Sequence, residues 1–282
     1  MALRTLSPIR PNPRSLRDVD RGAALIMAVC LMAALLVGSP QISDAAETKV
    51  IETSHRGITL IALPAKPATK YDVSLIDQDK ALLAIRGALD LIYAKSPSSS
   101  ELIDDLKSSG QVAIVYDPNF PWKEITTITM AAFISKIPKF LIEDFPAVFG
   151  KFAPASDKRF FISVVGRHGI KHSPAELAGT IVHELAAHGV QHLQGRVEGR
   201  RRLDVECEAF LHQLGAFQDF EMDMFSRYII VFRKQLRNFN CDDFRRYMQK
   251  HKPEHMYLWD QLNADVPRLL GIFEDYEKSH ND

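Results

Sequence analysis

The chain has 282 residues, of which 46% are hydrophobic, and its 35 acidic and 35 basic side chains give a formal net charge of zero. A chain of this length and hydrophobic content can bury a substantial core, which excludes an intrinsically disordered protein. A neutral chain without a basic stripe interleaved with aromatic residues gives no support for nucleic-acid binding.

The N-terminal segment has the pattern of a secretory signal peptide. Arginines precede an apolar run at 23–38, and the small residues at 43–46 suit cleavage by signal peptidase. The run is shorter than the roughly 20 residues needed to span a bilayer, so a retained anchor is the less favoured alternative. We predict a signal peptide at 1–46, a single domain at 47–282, and a secreted or periplasmic protein with no stable membrane anchor after cleavage.

Two cysteines remain after the predicted cleavage, Cys207 and Cys241. An oxidising compartment would permit one disulfide between them. Two buried free thiols are the alternative, and the sequence does not decide between these states.

The first half of the predicted domain alternates strands with helices. Hydrophobic patterns predict a strand at 58–63, a helix at 79–95, and strands at 111–116 and 159–165. A polar linker is expected at 96–100. The apolar region 125–149 is interrupted by prolines and receives no assignment.

A well-marked helix follows the last of these strands. Ser173, Pro174 and Glu176 form the pattern of a capping box, which predicts a helix from Pro174 to about Gln194. Further helices are expected from 199–203 to about 220, at 225–238 and at 264–278. The predicted fold is therefore α+β and mainly helical. A small sheet in the first half packs on this marked helix, and the C-terminal half is helical.

The marked helix carries the stretch His183-Glu184-Leu185-Ala186-Ala187-His188. The common zinc-hydrolase motif, His-Glu-x-x-His, has a spacer of two residues, whereas the spacer here is three. In a regular helix His183 and His188 would point about 140° apart and could not reach one ion. A π-type bulge between Glu184 and His188 would bring both imidazoles to the same side.

The next predicted helix offers three carboxylates as a further ligand: Asp204, Glu206 and Glu208. At about 100° per residue, Glu206 lies at the edge of the apolar face, where a carboxylate needs a partner. Glu208 points to the opposite side and is expected to be solvated. This pattern favours Glu206 as the third ligand.

These two motifs resemble those of a zinc peptidase family. His-Glu-x-x-x-His is the zinc motif of the dipeptidyl peptidase III family, whose second motif reads Glu-Glu-Cys-Arg-Ala-Glu/Asp. The stretch 205–210 agrees with it at Glu206, Cys207 and Ala209 and departs from it at Val205 and Phe210. The resemblance covers about 28 residues, and the chain is much shorter than that two-lobed family.

The resemblance implies a gluzincin-like zinc site. Its ligands would be His183, His188 and Glu206, with Glu184 as the base that activates a zinc-bound water. The implied function is a zinc metallopeptidase that acts on a peptide or protein substrate, with the helix from Pro174 as its metallopeptidase-type active-site helix. The predicted signal peptide makes this an exported enzyme. The resemblance does not extend to dipeptidase specificity.

Two alternatives to this site stay open. Glu184, His188 and His192 lie at i, i+4 and i+8, so an undistorted helix would place His188 and His192 on one face as a structural or non-hydrolytic metal site. The other alternative is no metal at all. The corresponding alternative function is a non-catalytic exported binding or scaffold protein with a metallopeptidase-like fold.

Three further expectations concern the surroundings of the motif. The strand at 160–165 is expected to offer its edge to an extended substrate. Gln191 is expected to face solvent. The arginines at 200–202 are expected to form a solvated helix start, and binding of an acidic substrate group is the alternative. Four side chains are candidates for stabilising an oxyanion: Tyr228, His251, His255 and Tyr257.

Overall fold

A five-stranded mixed sheet organises the first part of the fold. The computed structural model describes residues 49–66, 75–122, 130–152 and 159–279, so the predicted signal peptide lies outside the described residues. The strands are Ile51–His55 (β1), Ile58–Ala62 (β2), Gly110–Asp117 (β3), Ala131–Ile134 (β4) and Arg159–Gly166 (β5). Their order across the sheet is β1-β2-β3-β5-β4.

The three central strands are parallel to one another, and the two outer strands are antiparallel to their neighbours. β3 and β5 are buried along almost their whole length, which explains why they appear in the sequence as continuous apolar runs. The predicted strands at 58–63, 111–116 and 159–165 are confirmed. β4 falls in the region without a sequence-based assignment.

The helices form around this sheet and continue to the C-terminus. They are Gln78–Lys95 (α1), Pro97–Ser109 (α2), Lys139–Asp144 (α3), Pro146–Phe149 (α4), Pro174–Ile181 (α5), Val190–Leu193 (α6), Arg202–Asp219 (α7), Arg227–Gln235 (α8), Asp242–His251 (α9), Tyr257–Asp260 (α10) and Val266–Lys278 (α11). The π-helical segment Val182–Gly189 joins α5 to α6 without a break.

The predicted polar linker at 96–100 is wrong, because α2 already begins at Pro97. Proline at the first helical position lacks only an N–H that the helix would leave unpaired. Ser96 is buried, and its hydroxyl is hydrogen-bonded to Ser99 and to Asp219 of α7. These serines are therefore part of a helix start rather than a solvated connection.

The sheet separates two apolar cores of unequal size. Along β3, Ile114 and Tyr116 face the larger core, whereas the intervening Val115 faces the smaller one. The larger core lies between the sheet and the long helices, and α3 and α4 cover the opposite face. The protein is thus α+β and mainly helical with a small sheet, as predicted.

The chain from Glu47 to Asp282 forms one compact unit. Within the described ranges, no helix is both long and apolar enough to cross a membrane.

A disulfide joins Cys207 of α7 to Cys241, the residue before α9. Both cysteines are buried among the apolar side chains of the larger core. The choice between a disulfide and two free thiols, which the sequence left open, is thus decided in favour of the disulfide. It ties α7 to the C-terminal helices.

Replacement of both Cys207 and Cys241 by serine should lower the free energy of unfolding by about 3–4 kcal/mol, because the cross-link spans 34 residues and its loss increases the entropy of the unfolded chain. Urea titration followed by circular dichroism measures the change. Wild-type protein treated with a reductant is the control and should match the variant. Equal stability of the variant and the oxidised wild type would contradict this account.

Candidate metal centre

The helix that carries the histidine motif is fixed at its start and along one side. The Ser173 Oγ accepts a hydrogen bond from the Glu176 N–H, and the Glu176 carboxylate accepts one from the Ser173 N–H, which confirms the predicted capping box. Further along, a Cβ on Gly179 would lie 2.1 Å from the ring of Phe217. Glycine at this position therefore allows α5 and α7 to pack in close contact.

The π-helical segment Val182–Gly189 confirms the bulge predicted from the three-residue spacer. Its wider turn rotates the two histidines toward each other, and the Nε2 atoms of His183 and His188 lie 3.2 Å apart. The two rings meet edge to face, with centroids 4.8 Å apart.

Glu206 of α7 completes a group of three. Its Oε2 lies 3.5 Å from the Nε2 of His183 and 3.7 Å from the Nε2 of His188. All three ligand atoms lie within 4.8 Å of one another. In the described part of the chain, this is the one group of His, Cys, Asp and Glu side chains with the geometry to hold a metal ion.

Electrostatics keep Glu206 in the ionised state that a carboxylate ligand requires. Burial raises the pKa of the Glu206 carboxyl, but the two imidazoles beside it outweigh burial and hold that pKa well below its usual range. Burial also works against a charge on His188, yet the neighbouring Glu206 raises the pKa of that imidazole. Glu206 is therefore an ionised acceptor at neutral pH.

Glu184 is buried and interacts electrostatically with His183, His188 and Glu206. Its carboxylate accepts a hydrogen bond from the backbone N–H of Phe133 on β4. Burial raises the pKa of Glu184, and positive charge on His183 or His188 opposes this effect. A carboxylate with a raised pKa next to a metal-binding group has the properties of a general base.

A cavity of about 1020 Å³ opens above the three ligand side chains. Its walls come mainly from β4, α7 and α8. Most of the wall surface is apolar, and Phe133, Phe210 and Phe232 contribute to it. Tyr228 alone among the four predicted oxyanion candidates lines this cavity within the described residues. Burial raises the pKa of its phenol to about 12, so Tyr228 stays protonated and can donate a hydrogen bond.

The strand along the cavity is β4, not β5. The expectation that 160–165 offers a free edge is wrong, because β5 lies between β3 and β4. Residues in an antiparallel pair alternate in direction, and the carbonyl of Met130 accepts a bond from Gly166. Ala131 and Phe133 therefore direct their backbone groups away from β5, toward the cavity side.

His192 does not join the metal-binding group. It lines the cavity and stacks on Phe133, with ring centroids 4.9 Å apart. The alternative ligand set of Glu184, His188 and His192 requires a regular helix, and the π-helical segment removes that regularity.

Two residues expected to face solvent are instead buried next to the centre. Glu208 is wrongly predicted as solvated: it is 6% exposed and lies 2.8 Å from Arg196 and 3.1 Å from Arg200. Arg196 and Arg200 belong to the segment before α7, which folds back over that helix and covers Glu208. The helical periodicity of α7 alone carries no information about this covering segment. Gln191 is fully buried and contacts His188.

The arginines at 200–202 divide between two environments. The side chain of Arg200 is 8% exposed and pairs with Glu208, whereas that of Arg202 is 92% exposed. The prediction of a solvated run is therefore correct for Arg202 and wrong for Arg200. No pattern within the run distinguishes the two arginines, because the burial of Arg200 depends on Glu208 and on Glu277 of α11, which lie outside the run.

No protein-family model, curated protein or solved structure matches this chain. The resemblance to the dipeptidyl peptidase III family therefore rests on the two short motifs alone.

Glu208→Gln should destabilise the protein at pH 7 by about 1.5–3 kcal/mol, because it removes the buried carboxylate that pairs with Arg196 and Arg200 and leaves Glu277 as the remaining acid beside them. Burial raises the pKa of Glu208, but Arg196 and the Gln191 amide outweigh it, and the net shift is downward. The stabilisation is therefore complete above the ordinary Glu pKa of about 4.3 and is lost as the pH falls through the lower folded-state pKa.

Urea unfolding measured from pH 7 to pH 3 tests this. The wild type should lose stability toward low pH more steeply than Glu208→Gln. Glu198→Gln, on the exposed side of the same segment, is the matched control and should follow the wild type. Parallel pH curves for wild type and Glu208→Gln would contradict the buried ion pair.

Proposed function

We propose that this protein is a zinc-dependent metallopeptidase that hydrolyses peptide bonds. The observation that carries the proposal is the convergence of three ligand atoms across the π-helical segment, with separations of 3.2, 3.5 and 3.7 Å. Bonds of about 2.0–2.2 Å in a tetrahedral zinc site place ligand atoms about 3.3–3.6 Å apart. The side chains of His183, His188 and Glu206 therefore fit such an ion with little movement.

The composition of the donor set also supports catalysis. Two histidines and one glutamate form a set found in hydrolytic zinc enzymes, and three protein ligands leave a fourth position for water or substrate. When bound, zinc would polarise the scissile carbonyl and lower the pKa of a bound water toward about 7.

Glu184 is the general base in this proposal. It is adjacent to His183 in the chain, and the N–H of Phe133 holds one side of its carboxylate. The raised pKa suits acceptance of a proton from the attacking water and its transfer to the leaving nitrogen. Tyr228, on the α8 wall of the cavity, is the candidate donor to the developing oxyanion.

The groups that line the cavity favour a polypeptide substrate. Ala131 on β4 directs its N–H and C=O toward the cavity side, where an extended chain could pair with them. The apolar walls from Phe210, Val231 and Phe232 suit burial of substrate side chains.

We also propose that the protein is exported. The Cys207–Cys241 disulfide supports this, since structural disulfides persist mainly in oxidising compartments. The signal-like pattern at 1–46 points to the same conclusion.

Metal analysis of purified protein tests the ligand set. After treatment with a chelator, reloading with zinc chloride and desalting, the wild type should retain about one zinc per chain. His183→Ala, His188→Ala and Glu206→Ala should each lose it. His192→Ala, which alters a cavity histidine outside the ligand set, should retain it. Zinc retention by Glu206→Ala, or loss only in His192→Ala, would overturn the assignment.

Glu184→Gln should keep the zinc and lower kcat/KM by about 10²–10⁴, because the amide cannot accept the proton. Cleavage of a quenched fluorescent peptide library by zinc-loaded protein measures the rate, with Glu198→Gln as the control for loss of an exposed carboxylate. Unchanged cleavage by Glu184→Gln would remove it from the mechanism. A zinc-loaded wild type that cleaves no peptide would favour a non-catalytic metal-binding protein.

A further inference from the structure

Gln191 lies between the metal centre and a buried group of ion pairs. Its side chain has no exposed surface, and its Oε1 lies 2.8 Å from the Nδ1 of His188. Its Nε2 lies 3.0 Å from the carbonyl oxygen of Val205 and 2.9 Å from Oε2 of Glu208. One amide therefore connects a candidate metal ligand to two groups of α7.

The chemistry of these partners determines which way the amide faces. The carbonyl of Val205 and the carboxylate of Glu208 accept hydrogen bonds but do not donate them, so the NH₂ end of Gln191 must face them. The carbonyl end then faces His188 and can only accept. It follows that the Nδ1 of His188 carries a proton, and in the neutral ring its Nε2 then holds the lone pair that faces Glu206 and His183.

Ion pairs fix the position of Glu208, which accepts a hydrogen bond from the Gln191 amide. Glu208 is paired with Arg196 at 2.8 Å and with Arg200 at 3.1 Å, and Arg200 also pairs with Glu277 of α11. The side chains of Glu208 and Arg200 are each 8% exposed, which leaves little room for water to replace these partners. The position of Gln191 is thus set by charged groups from three parts of the chain.

The other histidine has no comparable support. The Nδ1 of His183 is buried and has no hydrogen-bond partner among the described residues. The two candidate ligands therefore differ: the surrounding protein orients His188, while only its own rotamer and neighbouring rings orient His183.

We propose that Gln191 is a positioning residue that holds His188 in the Nδ1–H form, with its Nε2 lone pair facing the metal centre. This inference rests on the proposed metal site. In metal-free protein with neutral rings, His183 is then the donor across the 3.2 Å contact, with its proton on Nε2. Metal binding requires that Nε2 lone pair, so His183 changes to the Nδ1–H form while His188 keeps its form.

Zinc affinity tests the role of the amide. Gln191→Leu removes the acceptor, and competition with a chromophoric zinc chelator should show binding about 10–100-fold weaker than in the wild type. Gln218→Leu is the matched control, since the Gln218 Nε2 donates to the carbonyl of Ala264 and, within the described ranges, Gln218 makes no hydrogen bond to a histidine. It should bind zinc as the wild type does. Equal zinc affinity for Gln191→Leu and the wild type would overturn the inference.

The ring proton positions give a second readout that needs no variant. Long-range ¹H–¹⁵N spectra of the wild type at pH 8, before and after zinc addition, should show His188 as the Nδ1–H form in both states. His183 should change from Nε2–H to Nδ1–H. An Nε2–H form of His188 in metal-free protein would contradict the role of Gln191, even if Gln191→Leu fails to fold. A wild type that binds no zinc but shows His188 as Nδ1–H would refute the proposed function and leave the positioning role standing.

Discussion

The five-residue interval between His183 and His188 is the constraint on which the site depends. A regular helix would separate these imidazoles by about 140°, and the π-helical segment Val182–Gly189 brings their Nε2 atoms to 3.2 Å. π-Helical turns are rare and frequently occur at functional sites. Here the surrounding core holds the segment: seven of its eight residues are buried.

Each layer of the fold contributes one part of the centre. The sheet supplies β4, whose Phe133 N–H holds Glu184, and α7 supplies Glu206. The disulfide at Cys207 fixes α7 immediately beside that ligand. Gln191 and Glu208 then connect the ligands to the C-terminal helix through Arg200. The last helix, α11, thus supports the candidate ligands indirectly, through contacts that lie outside the cavity.

Local sequence signals predicted the elements that depend on local physics. The capping box at Ser173, the central strands and the π-type bulge all follow from short patterns or from the spacing of the motif itself. β4 was not predictable, since four residues inside a proline-interrupted apolar region give no distinct period. The prediction of a solvated Glu208 is wrong because the burial of this residue depends on Arg196 and Arg200, which fold back over α7. No sequence pattern within α7 indicates these partners.

Anomalous diffraction at the zinc absorption edge, from crystals of the zinc-loaded wild type, would locate the ion and its ligands. We expect one strong peak within about 2.0–2.2 Å of the Nε2 atoms of His183 and His188 and of a Glu206 oxygen, with residues 182–189 π-helical. A peak bound by His188 and His192 on a regular helix, or no peak in this region, would contradict this expectation.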